Sequence, residues 1–333
     1  MERIFLPFSD QGHLCAGDNS RLMASGLKVT APASISNINC GFDVLGAAMD
    51  IVADELIGRR TSRPGVSILE ITGQGKEMIS KIPEENTAGV AISKFLDYAG
   101  IRGDGIEIEI HKKIKPGSGL GSSAASACAG VTLANALFGH PLSTQELLPL
   151  AILGEQIASH AFHADNVAPC LLGGIVLVRD IRSLDFQRLN TPKGLFITLV
   201  IPEISLLTAE SRGILQHSVG LRQMVRQSAN LGAFVLALER SDFGLMNKAL
   251  QDHIIEPQRA HLIPGFYTIR DAAYAAGVIG FGISGSGPSM FAFSQNSLTA
   301  ENAGQAMQKA LSVNKVKSQY LVTRINSEGT VLH

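Results

Sequence analysis

The stretch KPGSGLGSSAASACAGVTLANALFG, residues 115–139, sets glycines at 117, 119 and 121 among serines and opens onto a run of small residues. Before it, Ile106, Ile108 and Ile110 alternate with Glu107 and Glu109 as in a half-exposed strand; after it, Ala127, Val131, Ala134 and Leu137 recur at helical spacing. Strand, glycine loop and helix start form an anion-binding geometry, because glycine permits positive φ and close approach while a helix N-terminus presents unpaired amides and the positive end of a dipole. Phosphate is the obvious guest, although a tight turn before a small-residue helix packed on a sheet answers to the same pattern. The loop is neither the Walker form, which needs a lysine after its last glycine, nor the dinucleotide form G-x-G-x-x-G. Elsewhere, Asn37 and Asp43 fit an Asx turn around Gly41, and Asn86-Thr87 fits a helix cap.

The elements that must hold such a loop are ordered along the chain. From Val29 to about Asn190, short apolar or alternating runs such as GVSILEITG and GIEIEIHKKI read as strands between glycine-rich turns, with TAGVAISKFLDYAG as an amphipathic helix. A second domain begins after Thr191-Pro192 with the strand GLFITLVIP. It is richer in helix: LTAESRGILQHSV, LRQMVRQSANLGAFVLALE and DFGLMNKALQDHI show apolar residues at helical spacing. Two strands, GVIGFGIS and PSMFAFS, then flank a Gly-Ser-Gly turn, and a helix near residues 300–311 and the strand KSQYLVTRI close the chain.

Composition narrows the partners. The chain has 333 residues, 45% hydrophobic and 17% charged, enough for two cores, and its formal charge of -1 with 5% aromatics and no tryptophan argues against a nucleic-acid groove. The four cysteines, 15, 40, 128 and 170, have no zinc-ligand spacing and read as reduced thiols. No apolar run reaches the roughly 18 residues of a membrane span, and the first residues lack the order of a secretory signal, so a cytoplasmic protein with no membrane partner is expected. Residues 1–27 read as an appendage without an assigned role, and Met23 offers an alternative start.

The run P-G-S-G-L-G-S-S-A-A-S resembles the ATP loop of the GHMP kinase superfamily, which includes galactokinase, homoserine kinase and mevalonate kinase. APASISNINCGFDVLG and GISGSGPSMFAF accompany it in the expected order, so the resemblance covers the chain from Lys28 onward. Three stretches, SNINCGFDVLGAAM, GEQIASHAFHADNVAPCLLGG and IIEPQRAHLIPG, resemble the homoserine kinase family in particular. The resemblance implies an α+β, two-domain GHMP kinase fold: an N-terminal ribosomal S5 domain 2-like ATP-binding domain over 28–190 and a C-terminal ferredoxin-like domain over 191–333. It implies ATP-dependent phosphorylation of the L-homoserine hydroxyl to O-phospho-L-homoserine on the route to threonine, with ATP and magnesium as cofactors; homodimers are common in that family.

Carried over position by position, the resemblance gives Pro116, Gly117, Ser118, Gly119, Leu120, Gly121, Ser122, Ser123, Ala124 and Ser126 to ATP, with Asn86 on the adenine side. Glu155 and Ser123, the latter preferred to Ser122, match the magnesium ligands. Asn37, Asp43, Thr208, Arg212 and Arg259 match substrate contacts, with Asp43 suited to the ammonium and the arginines to the carboxylate. Asp165 matches the acid at the reacting hydroxyl, as general base or as orienting group, and Arg212 also matches a contact to the transferred phosphoryl group. His163 and Asn166 flank Asp165, and Ser286 sits at the cleft edge. Read without the family, Glu155 is an exposed helix residue and each arginine a surface charge. Two rivals stand beside this reading: a sister kinase acting on mevalonate, a sugar or a diphosphocytidyl sugar alcohol, and a sensor on the same fold that binds without turnover.

Overall fold

The computed structural model describes residues 26–159, 162–206 and 208–333. The expected appendage lies almost wholly outside the described residues. In chain order the strands are β1 Leu27–Ser36, β2 Leu45–Thr61, β3 Gly65–Gly73, β4 Gly105–Lys112, β5 Ile175–Asp180, β6 Asp185–Leu189, β7 Phe196–Pro202, β8 Gly280–Ile283, β9 Met290–Ser294, β10 Ser318–Thr323 and β11 Val331–Leu332. The helices are α1 Thr87–Tyr98, α2 Ser122–Leu137, α3 Thr144–Ser159, α4 Val167–Leu172, α5 Thr208–Gly213, α6 Leu221–Arg240, α7 Phe243–Ala249, α8 Glu256–Arg259, α9 Phe266–Ala275 and α10 Ser297–Val313.

Two sheets organise these elements. The first runs β11-β1-β2-β4-β3, with β5 and β6 continuing from the start of β2; among the described residues its pairings are antiparallel except β3–β4, which is parallel. Helices α1, α2 and α3 pack on one another, with α2 against β1 and β2. The second sheet is antiparallel, β10-β7-β9-β8, and is covered by α9 and α10. The chain passes from one sheet to the other between β6 and β7, and β11 returns to pair with β1 of the first sheet.

The local reasons follow the residue types. In β4, Ile106, Ile108 and Ile110 are buried while Glu107, Glu109 and His111 face outward, the period of a half-exposed strand. GVSILEITG lacks that regularity: the β3–β4 register shifts between Ile68 and Glu70, leaving Leu69 exposed at the sheet edge. The 17-residue β2 escapes sequence patterning because Leu45, Ala47, Ala48 and Met49 are all buried before it settles into alternation. The helix expected over DFGLMNKALQDHI stops at Ala249, and the Asp252 carboxylate then accepts from the amides of Ile254, Ile255 and Glu256 to start the next turn.

A buried ion pair and a half-buried carboxylate brace the site elements. At the end of β4, Lys112 is buried against Asp54; its Nζ also donates to Ser122 O at 2.8 Å and Ser126 Oγ at 2.9 Å, while Asp54 Oδ1 accepts the Lys113 and Ile114 amides. This pair fastens the strand and the first turn of α2 on either side of the glycine loop. Across the sheets, Asn39 Nδ2 donates to Glu256 Oε2 at 3.0 Å and to Phe281 O at 2.9 Å, tying the turn after β1 to α8 and β8. Burial, reinforced by Asp252, pushes the Glu256 carboxyl up to about 7.

Removing one member of a buried pair leaves its partner uncompensated, so Lys112→Met should cost about 3–5 kcal/mol, read from urea denaturation. Glu256 has the opposite leverage. Its raised carboxyl binds a proton more tightly folded than unfolded, so its stabilisation is full below the ordinary value of 4.5 and is lost as pH climbs through about 7. Glu256→Gln keeps an acceptor for Asn39 and should raise stability at pH 8 by about 1–3 kcal/mol while changing little at pH 4.5; comparing urea midpoints at the two pH values checks it.

Candidate functional site

A cavity of about 350 Å³ opens between the two sheets, lined by the glycine loop, the turn after β1, the end of α3, the segment before α4, and residues of α5, α8 and the β8–β9 turn. The loop has the predicted geometry: Gly117, Gly119 and Gly121 all have positive φ, at 70°, 81° and 67°. Its carbonyl edges are held by protein, Ser118 O by the Ser289 amide, Gly119 O by Ser284 Oγ at 2.6 Å and Leu120 O by the Ser34 amide. No side chain caps α2 behind Gly121, which leaves the first-turn amides to an anion in the cavity. At Gly119 a Cβ would stand 2.5 Å from Ser284 O and 2.7 Å from Gly287 O, so the approach of the β8–β9 turn excludes any side chain there.

Of the residues expected on ATP, Pro116, Gly117, Ser118, Gly119, Gly121, Ser122 and Ser123 line the cavity. Leu120 and Ala124 turn into the core, so a contact from either is through its backbone. Ser126 departs from expectation: it lies one helical turn below Ser122, donates to Ser122 O and accepts from Lys112, away from the cavity. Asn86 departs too. Its Oδ1 accepts the Ala88 and Gly89 amides and its Nδ2 donates to Ser80 O, the cap chemistry, and it does not line the cavity.

Glu155 is not the exposed helix residue its local sequence suggests. It is 5% exposed and accepts from Ser123 Oγ at 2.8 Å, while the Ser122 hydroxyl turns away to Ile114 O. Burial first, and Asp165 in addition, push the Glu155 carboxyl up to about 7 against the opposing pull of His163, Ser123 and Lys112. A buried carboxylate beside a hydroxyl at an anion-binding helix end fits a small hard cation, since magnesium takes one or two protein oxygens and keeps the rest for water and phosphate. Among the described residues no group of three or more His, Cys, Asp or Glu gathers as a metal site, at this cavity or away from it.

Asp165, 2% exposed, sits in the segment before α4, where its backbone carbonyl packs against Gly46 of β2 so closely that a Cβ there has no room. His163 Nδ1 lies 3.3 Å from Asp165 Oδ1, within ion-pair range although not aligned as a hydrogen bond. Burial works to raise the Asp165 carboxyl, but His163 and Ser36 together hold it below the ordinary value. Asn166 is fixed by two serines of β1: its Oδ1 accepts from Ser34 Oγ and its Nδ2 donates to Ser36 Oγ, both at 2.9 Å. These serines are missed by motif reading, yet their two-residue spacing on a strand puts them on one face, the signal that would have paired them.

The remaining contacts join the two sheets. Asn37 lines the cavity, but its Nδ2 donates to Gly285 O at 2.8 Å and its Oδ1 accepts the Asp43 amide at 3.0 Å, so it is first a brace; both residues have positive φ. The sequence assigns Asp43 and Arg212 to different parts of a ligand, whereas in the structure they hold each other through two hydrogen bonds of 2.7 and 3.0 Å. Arg259, 3% exposed, donates to Ser211 O and Gly285 O; burial, aided by Arg212, brings its guanidinium down to about 10. Phe42, between these groups in the cavity wall, has no counterpart among the expected residues. Ser286 lines the cavity edge, and Thr208 opens α5 with its side chain outside the described residues.

Known proteins place this arrangement. Residues 86–174 match the GHMP kinases N terminal domain and residues 234–313 the GHMP kinases C terminal domain. A homoserine kinase of Chlorobium phaeobacteroides strain BS1 is 45% identical over 298 residues, 87% of this chain and 93% of that protein. The crystal structure of homoserine kinase from Cytophaga hutchinsonii superposes with a TM-score of 0.90 at 44% identity, covering 93% of this chain and 98% of that one. The L. major mevalonate kinase, solved with R-mevalonate, shares the fold at a TM-score of 0.66 and 16% identity over 91% of this chain and 96% of its own. With both family domains matched and the relatives covering most of its length, the chain belongs to the homoserine kinases of the GHMP kinase family and has their two-domain α+β fold.

Proposed function

We propose that this protein transfers the γ-phosphoryl group of ATP to the side-chain hydroxyl of L-homoserine, with magnesium, giving ADP and O-phospho-L-homoserine on the route to threonine in the cytoplasm. One observation carries the substrate reading: the cleft beside the glycine loop presents one carboxylate, Asp43, with two guanidiniums, Arg212 and Arg259. That charge set complements an amino acid's ammonium and carboxylate, which mevalonate and sugars do not combine. The 45% identical relative named homoserine kinase supports the same choice.

The residues divide the work by chemistry. Amides of the loop and of the first turn of α2 take the ATP phosphates. Magnesium, when bound, would offset phosphate charge, and Glu155 with Ser123 would hold it. Asp43 takes the substrate ammonium and Arg259 its carboxylate. Arg212 Nε, buried and without a hydrogen-bond partner among the described residues, is the donor left for that carboxylate or for a phosphoryl oxygen. The hydroxyl oxygen forms the new bond to phosphorus as the bond to the ADP oxygen breaks, through a loose transition state in which alignment and charge dominate.

Asp165 aligns the hydroxyl rather than removing its proton. An efficient general base has a pKa near the working pH, and Asp165 is held low. The hydroxyl proton is then lost to solvent once phosphorus has bonded to its oxygen.

ADP release with magnesium and ATP should depend on L-homoserine and be absent with mevalonate, galactose and L-serine. Turnover with a different alcohol would overturn the substrate reading, and ATP binding without turnover would point to a sensor. Asp165→Asn should lower kcat by less than about tenfold; a loss of about 10²–10⁴ would instead assign proton abstraction to it.

A further inference from the structure

Phe42 stands at the centre of the substrate side of the cleft without a role in the chemistry above. Its ring lines the cavity, and the guanidinium carbons of Arg212 and Arg259 lie 5.4 and 5.3 Å from its centroid. Both distances fall within the ~6 Å over which an aromatic quadrupole attracts a cation, an attraction that strengthens when the pair is shielded from water.

Two guanidiniums drawn to one small region repel each other, and the surrounding protein offers unequal compensation. Arg212 has the Asp43 carboxylate; the hydrogen bonds of Arg259 among the described residues go to the backbone carbonyls of Ser211 and Gly285. A ring that presents negative π density to both supplies what the carbonyls do not, and it adds no formal anion to compete with a bound carboxylate. The ring is itself anchored, because its neighbours in the turn are tied to β8 and the β8–β9 turn through Asn37 and Asn39, and Cys40 O accepts from Gln227 of α6.

We propose that Phe42 is a positioning residue that holds Arg212 and Arg259 as a pair facing the cleft and so sets the recognition of the substrate's α-carboxylate, without touching the reacting atoms. The inference rests on the homoserine reading of the site. It distinguishes Phe42 from a mere filler: an aliphatic side chain fills the space but has no π face.

The test compares Phe42→Leu and Phe42→Tyr with the parent chain. The leucine variant should raise KM for L-homoserine by about tenfold while KM for ATP stays within about twofold, and the tyrosine variant, which restores the ring, should stay near the parent. 3-Amino-1-propanol keeps the ammonium and hydroxyl but lacks the carboxylate, so its inhibition constant against homoserine should be the same in the parent and the leucine variant. An unchanged KM for homoserine, an equal loss for both KM values, or an equal weakening of 3-amino-1-propanol would each overturn the proposal. If Phe42→Leu does not fold, Phe42→Met carries the same comparison. Absence of homoserine-dependent ADP release from the parent chain would overturn the proposed function, and this inference with it.

Discussion

The approach of the glycine loop to the β8–β9 turn is the contact on which the site depends. Gly119 lies so near Ser284 O and Gly287 O that only hydrogen fits between the loop of one sheet and the turn of the other. The same turn accepts from Asn37 and Arg259 through Gly285 O, donates the Gly285 amide to Ser36 O, and receives the Ser211 hydroxyl at Ser286 O. A phosphate cradle, the acid-bearing turn and both arginines are therefore registered against a single short turn. Displacing that turn would move all three at once.

This registration explains the division of polar groups between the sheets. The first contributes the acids Asp43, Glu155 and Asp165 with His163, and the second contributes Arg212 and Arg259. Only the assembled cleft sets the two guanidiniums of one half against the carboxylates of the other, so recognition of a zwitterion is a property of both halves together. The Asp43–Arg212 pair crosses that boundary and helps to join the halves.

How much of this the residues disclose in order along the chain depends on the range of the interaction. The glycine loop is legible because its function is local: alternate glycines, a strand before and a helix after are all within one stretch. Asn86 shows the converse, since a cap is a local device too, and its sequence context fits the cap better than a nucleotide contact. Glu155 is misjudged from local pattern because α3 buries it against the loop, and the resemblance that gives Ser126 to ATP does not disclose that Lys112 reaches it from β4. The Asp43–Arg212 contact joins residues 169 positions apart, and no spacing rule reaches so far. Strand β11 is illegible for another reason, as its two residues become a strand only by pairing with β1.

Burial acts on the two walls of the cleft in opposite directions. It raises Glu155 to about 7 and lowers Arg259 to about 10, in each case favouring the uncharged form. A cation beside Glu155 and an anion beside Arg259 reverse both shifts, because each supplies the counter-charge that water would otherwise provide. The affinity of the cleft for such groups therefore does not come from the side chains alone. It comes from the fold's having withdrawn them from water before the ligand arrives, so that the folding energy that maintains their burial is the source of preorganisation for binding.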